Sequence, residues 1–191
     1  MKTLCKLCYS ICLFCILFSM AGCNKNYPAV SLPTSQNSIK TVYSSAVQYV
    51  KDNIDTPCTL YEVTLSQNAT EDGVIAYTFK ETSRSPKLHT IKWNPADMRL
   101  TYAGNRSASK GGYNLTGTLL IDQWAIDSAE AVRLAKAALL NKYTFGETSV
   151  IAYSSILNQE ELKIIFTDAA NQKYTATINP LTGALLTTYS G

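Results

Sequence analysis

The segment Gln172–Tyr189, QKYTATINPLTGALLTTY, restricts the possible architectures more than any other stretch, because its outline occurs once before. Eighty-five positions earlier (180 minus 95) the chain reads HTIKWNPADMRLTYAG, again an alternating run that leads into Asn-Pro. Alternation with a period of two residues predicts strands, and Asn-Pro between two such runs predicts a turn. In the second copy Pro180 fixes one backbone dihedral and Gly183 is free to take positive φ. The same offset lays Ala131 on Ala46, Val132 on Val47 and Ala135 on Val50, so it relates two helical patterns as well as two turns. The chain therefore reads as one unit built twice.

The units follow from local signals. Between Ser38 and Asn53 the apolar residues Ile39, Val42, Ala46, Val47 and Val50 recur mostly three or four apart, which predicts an amphipathic helix capped by Ser38 and ended before Pro57. Thr59–Ser66 then alternates, with Leu60, Glu62 and Thr64 on one side and Tyr61, Val63 and Leu65 on the other. Asp72-Gly73 turns this run into Val74–Thr82, Arg84-Ser85-Pro86 breaks the chain again, and Leu88–Trp93 and Arg99–Tyr102 flank Asn94-Pro95. Residues 103–125 form the connection, within which Thr116–Trp124 reads as a strand leading in. Asp127 or Ser128 caps the second helix, followed by strands at Ser149–Leu157 and Leu162–Thr167, a polar turn at Asn158-Gln159-Glu160-Glu161, and the final hairpin with its strand Ala184–Tyr189. The expected fold class is α+β: two repeated units, 38–102 and 126–191, each with one helix packed on an antiparallel sheet of three or four strands. With 46% hydrophobic and only 16% charged residues, a chain of 191 residues has enough apolar surface for such a core.

The first residues belong to targeting rather than to the fold. Lys2 and Lys6 precede an apolar run from Leu7 to Met20, too short to cross a bilayer that needs roughly 20 residues. Met20-Ala21-Gly22-Cys23 follows and resembles a bacterial lipobox, with Met20 where leucine is usual. Residues 1–22 are thus an expected lipoprotein signal peptide, and Cys23 the lipid-attachment residue. Each buried methylene of an acyl chain contributes about 0.8 kcal/mol, and two or more chains hold stably. Residues 23–37, rich in Ser, Pro and Asn, are expected to be the lipidated N-terminus and a flexible linker. Asn24 rather than aspartate after the anchor implies onward sorting, so the expected location is the bacterial cell envelope, on the periplasmic side of the outer membrane in a Gram-negative cell.

The remaining composition excludes more than it assigns. Cys5, Cys8, Cys12 and Cys15 leave with the signal, so Cys58 is the one thiol of the mature chain and no internal disulfide is expected. Cys58 reads as a small buried hydrophobe. After removal of the signal, 15 basic face 14 acidic residues, with no basic stripe for nucleic acid. His89 is the sole histidine; it alternates with Ile91 and Trp93 and reads as a packed side chain rather than a base. There is no Gly-x-Ser-x-Gly elbow, no phosphate loop and no dinucleotide fingerprint, and His89 with Cys58 is too small a set for a zinc site. Glu160 and Glu161 read as a solvated tip, and the tyrosines as packing for half-buried strands. The sequons at Asn68, Asn105 and Asn114 are incidental in a bacterial lipoprotein.

The second unit resembles the PepSY domain. The resemblance is carried by Asp127-Ser128-Ala129-Glu130-Ala131 with Ala135, and by Tyr174–Leu185 with its Asn-Pro-Leu-Thr-Gly turn, Asn179 standing where the family usually has aspartate. The first unit, with Asp97-Met98 in place of Thr-Gly, is a degenerate copy. The resemblance implies binding without catalysis, no cofactor and no metal, and no ligand-binding residue can be carried over. The expected function is a lipid-anchored cell-envelope binding protein, not an enzyme, whose partner is a protein or peptide and specifically a peptidase that it binds or modulates. The alternative is a structural or assembly component of an envelope complex.

Overall fold

The structure, a computed structural model, describes residues 25–32, 38–68, 73–108, 118–157 and 159–191. The signal segment, Cys23, Asp72 and Asn114 lie outside these residues. Two helices and nine strands follow in the order β1 (Val30–Ser31), α1 (Ile39–Asn53), β2 (Cys58–Asn68), β3 (Val74–Glu81), β4 (Lys87–Asn94), β5 (Arg99–Ser107), α2 (Ser128–Leu140), β6 (Glu147–Leu157), β7 (Gln159–Asp168), β8 (Lys173–Ile178) and β9 (Leu185–Ser190). The fold is α+β, and all nine strands form one antiparallel sheet in the order β1-β5-β4-β3-β2-β6-β7-β8-β9. Each helix is followed by a meander of four strands, and the meanders join edge to edge through β2 and β6, from Glu62 opposite Ser155 to Asn68 opposite Ser149. The first half carries five strands rather than three or four, because β1 adds to the outer side of β5.

The helices lie on one face of the sheet, α1 over β2, β3 and β4 and α2 over β7, β8 and β9. Their apolar stripes explain this placement: Ile39, Val42, Ala46, Tyr49 and Val50 are buried on α1, and Ala131, Ala135 and Leu139 on α2. They meet Ile75, Tyr77, Phe79, Ile91 and Trp93 in the first half and Leu162, Ile164, Phe166, Ala176 and Ile178 in the second. Alternation alone misplaces one residue of this core. Leu60 lies with Val63 and Leu65 rather than opposite them, because a bulge between Leu60 and Glu62 inserts Tyr61 and shifts the side-chain parity.

The two helix starts are locked together. Ser38 caps α1 through its hydroxyl, which accepts from the Thr41 amide. Asp127 caps α2, and its Oδ1 accepts from Ser128 N at 2.6 Å and also from Lys40 N at 3.2 Å. Ser128 Oγ accepts in turn from the Ile39 amide, so the positive N-terminal ends of both helices meet at one carboxylate. The connection contributes to the core: β5 runs on to Ser107, and Ile121–Gln123 form a 3₁₀ turn where a strand is expected. Leu119, Ile121 and Trp124 are buried there between the halves.

The two Asn-Pro turns share their chemistry. Asn94 Oδ1 accepts from Ala96 N at 3.1 Å, and Asn179 Oδ1 from Leu181 N at 2.9 Å. Gly183 has φ 75°, and Met98, 85 positions earlier, has φ 51° in the same region that favours glycine.

Candidate anchor face and strand edge

Within the expected linker 23–37, the described residues 25–32 are seated on the domain rather than free of it. Residues 25–32 cross the helix-side face of the first half as a strap. Val30 and Ser31 pair with Leu100 and Arg99, Leu32 N donates to Met98 O at 3.0 Å, and Tyr49 Oη donates to Pro28 O at 2.8 Å. Tyr27 stacks on Tyr102 with ring centroids 3.9 Å apart, and Lys25 pairs with Asp55 at 2.6 Å. Pro28 removes an amide where the segment has not yet begun to pair, which suits the start of an edge strand. Composition hides this order, since a segment of Ser, Pro and Asn has no periodicity; the tyrosine at position 27 is its one sequence signal.

Beneath the strap lies a closed polar network. His89 is 4% exposed on the core face of β4. Its Nε2 lies 2.9 Å from Glu81 Oε1 and its Nδ1 3.0 Å from Tyr102 Oη, which also accepts from Asn105 Nδ2 at 2.9 Å. Because the Glu81 carboxylate only accepts, Nε2 carries a proton and donates to it. Burial works against the Glu81 charge, but the bonds from His89 and from the Lys87 amide, with the charges of both residues, outweigh it and hold the carboxyl below its ordinary value. Each member is satisfied by another, so the network spends its hydrogen bonds on fixing β3, β4 and β5 beneath Tyr27. Asn105, a sequon asparagine, is occupied inside it.

Cys58 stands at the start of β2, its thiol 3.2 Å from Thr56 O. Burial first, and then the Glu81 charge, push the thiol up to about 11, far from the thiolate a nucleophile requires. It lines a cavity of about 250 Å³ with Val47, Val50, Ile54 and Phe79, at the end of α1. Among the described residues no three His, Cys, Asp or Glu side chains are grouped to hold a metal ion, and no helix is long and apolar enough to cross a membrane.

Glu160 is not a solvated tip. The β6–β7 hairpin continues to Leu157 and resumes at Gln159, and Glu160 turns to the helix side, where its carboxylate accepts from the Leu120 amide and the Trp124 indole. It pins the connection to the sheet. Nothing in the pair Glu160-Glu161 marks this, because the partner lies 36 residues away.

At the far side of the sheet the last strand, β9, is an edge. It pairs with β8 from Tyr174 opposite Ser190 to Ile178 opposite Leu185, and among the described residues no strand pairs with its outer side. Leu185, Leu186 and Tyr189 are exposed along it.

No family model matches this chain, and no curated protein matches it. Among solved structures, the crystal structure of a protein from Clostridium difficile 630, described as a "putative lipoprotein", is similar with a TM-score of 0.51 and 13% identity, over 82% of this chain and all of that one. At that identity the likeness is one of fold.

Proposed function

We propose that the protein is a lipid-anchored binding protein of the bacterial cell envelope, without catalytic activity, that presents one rigid sheet directly at the membrane surface. The observation that carries this reading is the strap. With Cys23 acylated, only Asn24 separates the anchor from Lys25, which is already docked on the domain, so two residues spanning about 7 Å join lipid to fold. A domain held this close is displayed in a set orientation rather than on a long tether. The similar structure described as a "putative lipoprotein" supports the anchor. The satisfied Glu81–His89–Tyr102 network and the raised Cys58 thiol support binding over chemistry.

The two halves are read here as copies of one PepSY-like unit, the first degenerate, supported by the matching Asn-Pro turns and by the helix-plus-meander order in each. On this reading the partner is a peptidase that the protein binds or modulates. The alternative, a structural component of an envelope complex, draws support from the locked helix starts at Asp127, which make one stiff head of the two halves. Mass measurement of the mature protein should show an acylated Cys23, and Cys23→Ser should move the protein from the membrane to the soluble fraction; an unmodified N-terminus elsewhere sinks the anchor. A modulator changes peptidase rates at stoichiometric levels, whereas an assembly component leaves them unchanged.

A further inference from the structure

The two outer strands of the sheet, β5 and β9, end the two meanders in the same way, yet they are treated differently. The β5 edge is occupied by the chain itself, through Val30 and Ser31, and it also carries Arg99 and Arg106. The β9 edge carries no charge and no proline in its sequence, Leu-Leu-Thr-Thr-Tyr-Ser. Exposed edges are ordinarily blunted by charge, proline, short length or a covering segment, because their free amides and carbonyls template another strand. β9 has six residues and none of these guards in its own sequence; Lys142 Nζ, from the turn after α2, donates to Thr188 Oγ1 at 2.6 Å, and Lys163 Nζ lies over the Tyr189 ring.

Its free groups can be identified. Gly191 N donates to Lys173 O and Lys173 N to Gly191 O, which fixes this pair as hydrogen-bonded. Alternation along an antiparallel ladder then makes Thr175–Tyr189 and Thr177–Thr187 the bonded pairs. The amides and carbonyls of Thr188 and Ser190 therefore point outward, away from β8. At the opposite edge the same kind of row is met by an extended, antiparallel, uncharged stretch, Ala29-Val30-Ser31-Leu32, whose Val30 lies opposite Leu100. The position 85 residues after Leu100 is Leu185, which pairs with Ile178 as Leu100 pairs with Trp93 and is exposed.

We propose that the outer edge of β9 is a strand-acceptor site that takes an extended, uncharged segment of a partner protein in antiparallel pairing, as β5 takes Val30–Ser31 of the chain itself. Backbone pairing supplies the affinity, and apolar side chains at alternate positions of the incoming segment cover Leu185 and its neighbours. The partner is a foreign segment because, among the described residues, the short stretch of this kind is committed to the chain's own β5. This proposal rests on the binding reading above and names its site.

The test uses the full mature chain in detergent and a labelled decapeptide, Gly-Ser-Thr-Val-Thr-Val-Thr-Val-Ser-Gly, with a second form N-methylated at alternate residues. The parent peptide should bind, and N-methylation on the pairing side should abolish binding while leaving every side chain in place. Thr188→Pro removes one outward amide, together with the hydroxyl that accepts from Lys142 Nζ at 2.6 Å, and leaves the ladder to β8 intact, so it should keep the circular dichroism of the parent and bind the peptide about tenfold more weakly, whereas Thr188→Val, which loses the hydroxyl alone, should bind like the parent. Equal binding of the methylated peptide, undiminished binding by folded T188P, or no binding of the parent peptide overturns the site. Sedimentation of the purified chain as a dimer that T188P dissolves overturns the foreign partner in favour of a second copy. Photo-cross-linkers placed in cells at Ser190 and, on the opposite sheet face, at Thr90 separate the two claims. Protein adducts at Thr90 alone refute the β9 site and leave the binding reading standing, whereas adducts at neither position refute both.

Discussion

Met98 and Gly183 occupy equivalent places after the two Asn-Pro turns, and they should respond in opposite directions to substitution. Met98 holds φ 51°, where an L-residue with a side chain pays roughly 1–2 kcal/mol. Met98→Gly removes that strain but frees the unfolded chain, which costs roughly 0.5–1 kcal/mol. Met98 is 45% exposed, so part of its burial is given up as well, and the net expectation is a gain of at most about 0.5 kcal/mol. Gly183→Ala imposes the same strain in reverse. A Cβ there would meet Ile126 Cγ2 at 3.4 Å, an ordinary contact, so the expected loss of about 1 kcal/mol comes from the backbone and not from a clash. For a protein of this size about 1 kcal/mol moves Tm by roughly 2–4 °C. Thermal melts of the two variants should therefore shift upward for M98G and downward for G183A. A lowered Tm for M98G, or shifts of the same sign, would refute the assignment of equivalent backbone roles to the two turns.

The helix junction gives a second test. Asp127→Ala removes the cap of α2 and the acceptor of the Lys40 amide at the start of α1 and should cost about 2–3 kcal/mol, whereas Asp127→Asn, which keeps the cap and drops the charge, should cost less than half of that in denaturant titrations. The two buried tryptophans separate packing from hydrogen bonding. Trp124 donates to Glu160 and, among the described residues, Trp93 Nε1 meets no acceptor, so Trp124→Phe should lose about 1.5–3 kcal/mol more than Trp93→Phe, and equal losses would remove Glu160 as the pin of the connection. Glu81 sets an acid limit. Its carboxyl is held below the ordinary value in the folded state, so its contribution is present above about pH 4.5 and is lost as pH falls through the lowered value; Glu81→Gln should flatten stability against pH in that acid range and leave the neutral region unchanged in slope. Cys58 should alkylate slowly with iodoacetamide at pH 8 in the native state and rapidly in urea, and rapid native labelling would contradict the raised thiol.

The periodic elements were legible because each rests on interactions within a few residues. Ser38 before the first apolar turn, the alternation of Leu88–Trp93 and the Asn-Pro turns are local signals, and the strands and helices fall on them. His89 was readable as a packed residue from its neighbours Ile91 and Trp93. What failed depended on partners distant in sequence. Glu160 looks solvated until Trp124 is brought to it, and the segment after Cys23 looks unstructured until Tyr102 and the β5 edge offer it a seat. The Tyr61 bulge shows a third kind of failure, in which one inserted residue reverses the parity that alternation relies on.

Sequence alone thus determined the α+β class, the helix starts, the echo of two turns and the expectation of an acylated Cys23, all of which are written in short-range patterns. Only the tertiary structure decided that the two meanders merge into one nine-stranded sheet, that β1 closes one edge, and that β9 leaves the other open. Strand order across a seam such as β2–β6 is set by which edges bury the most apolar surface and satisfy the most backbone groups once the chain is compact. Those are properties of pairs of elements some 90 residues apart, and no single stretch of the chain encodes them.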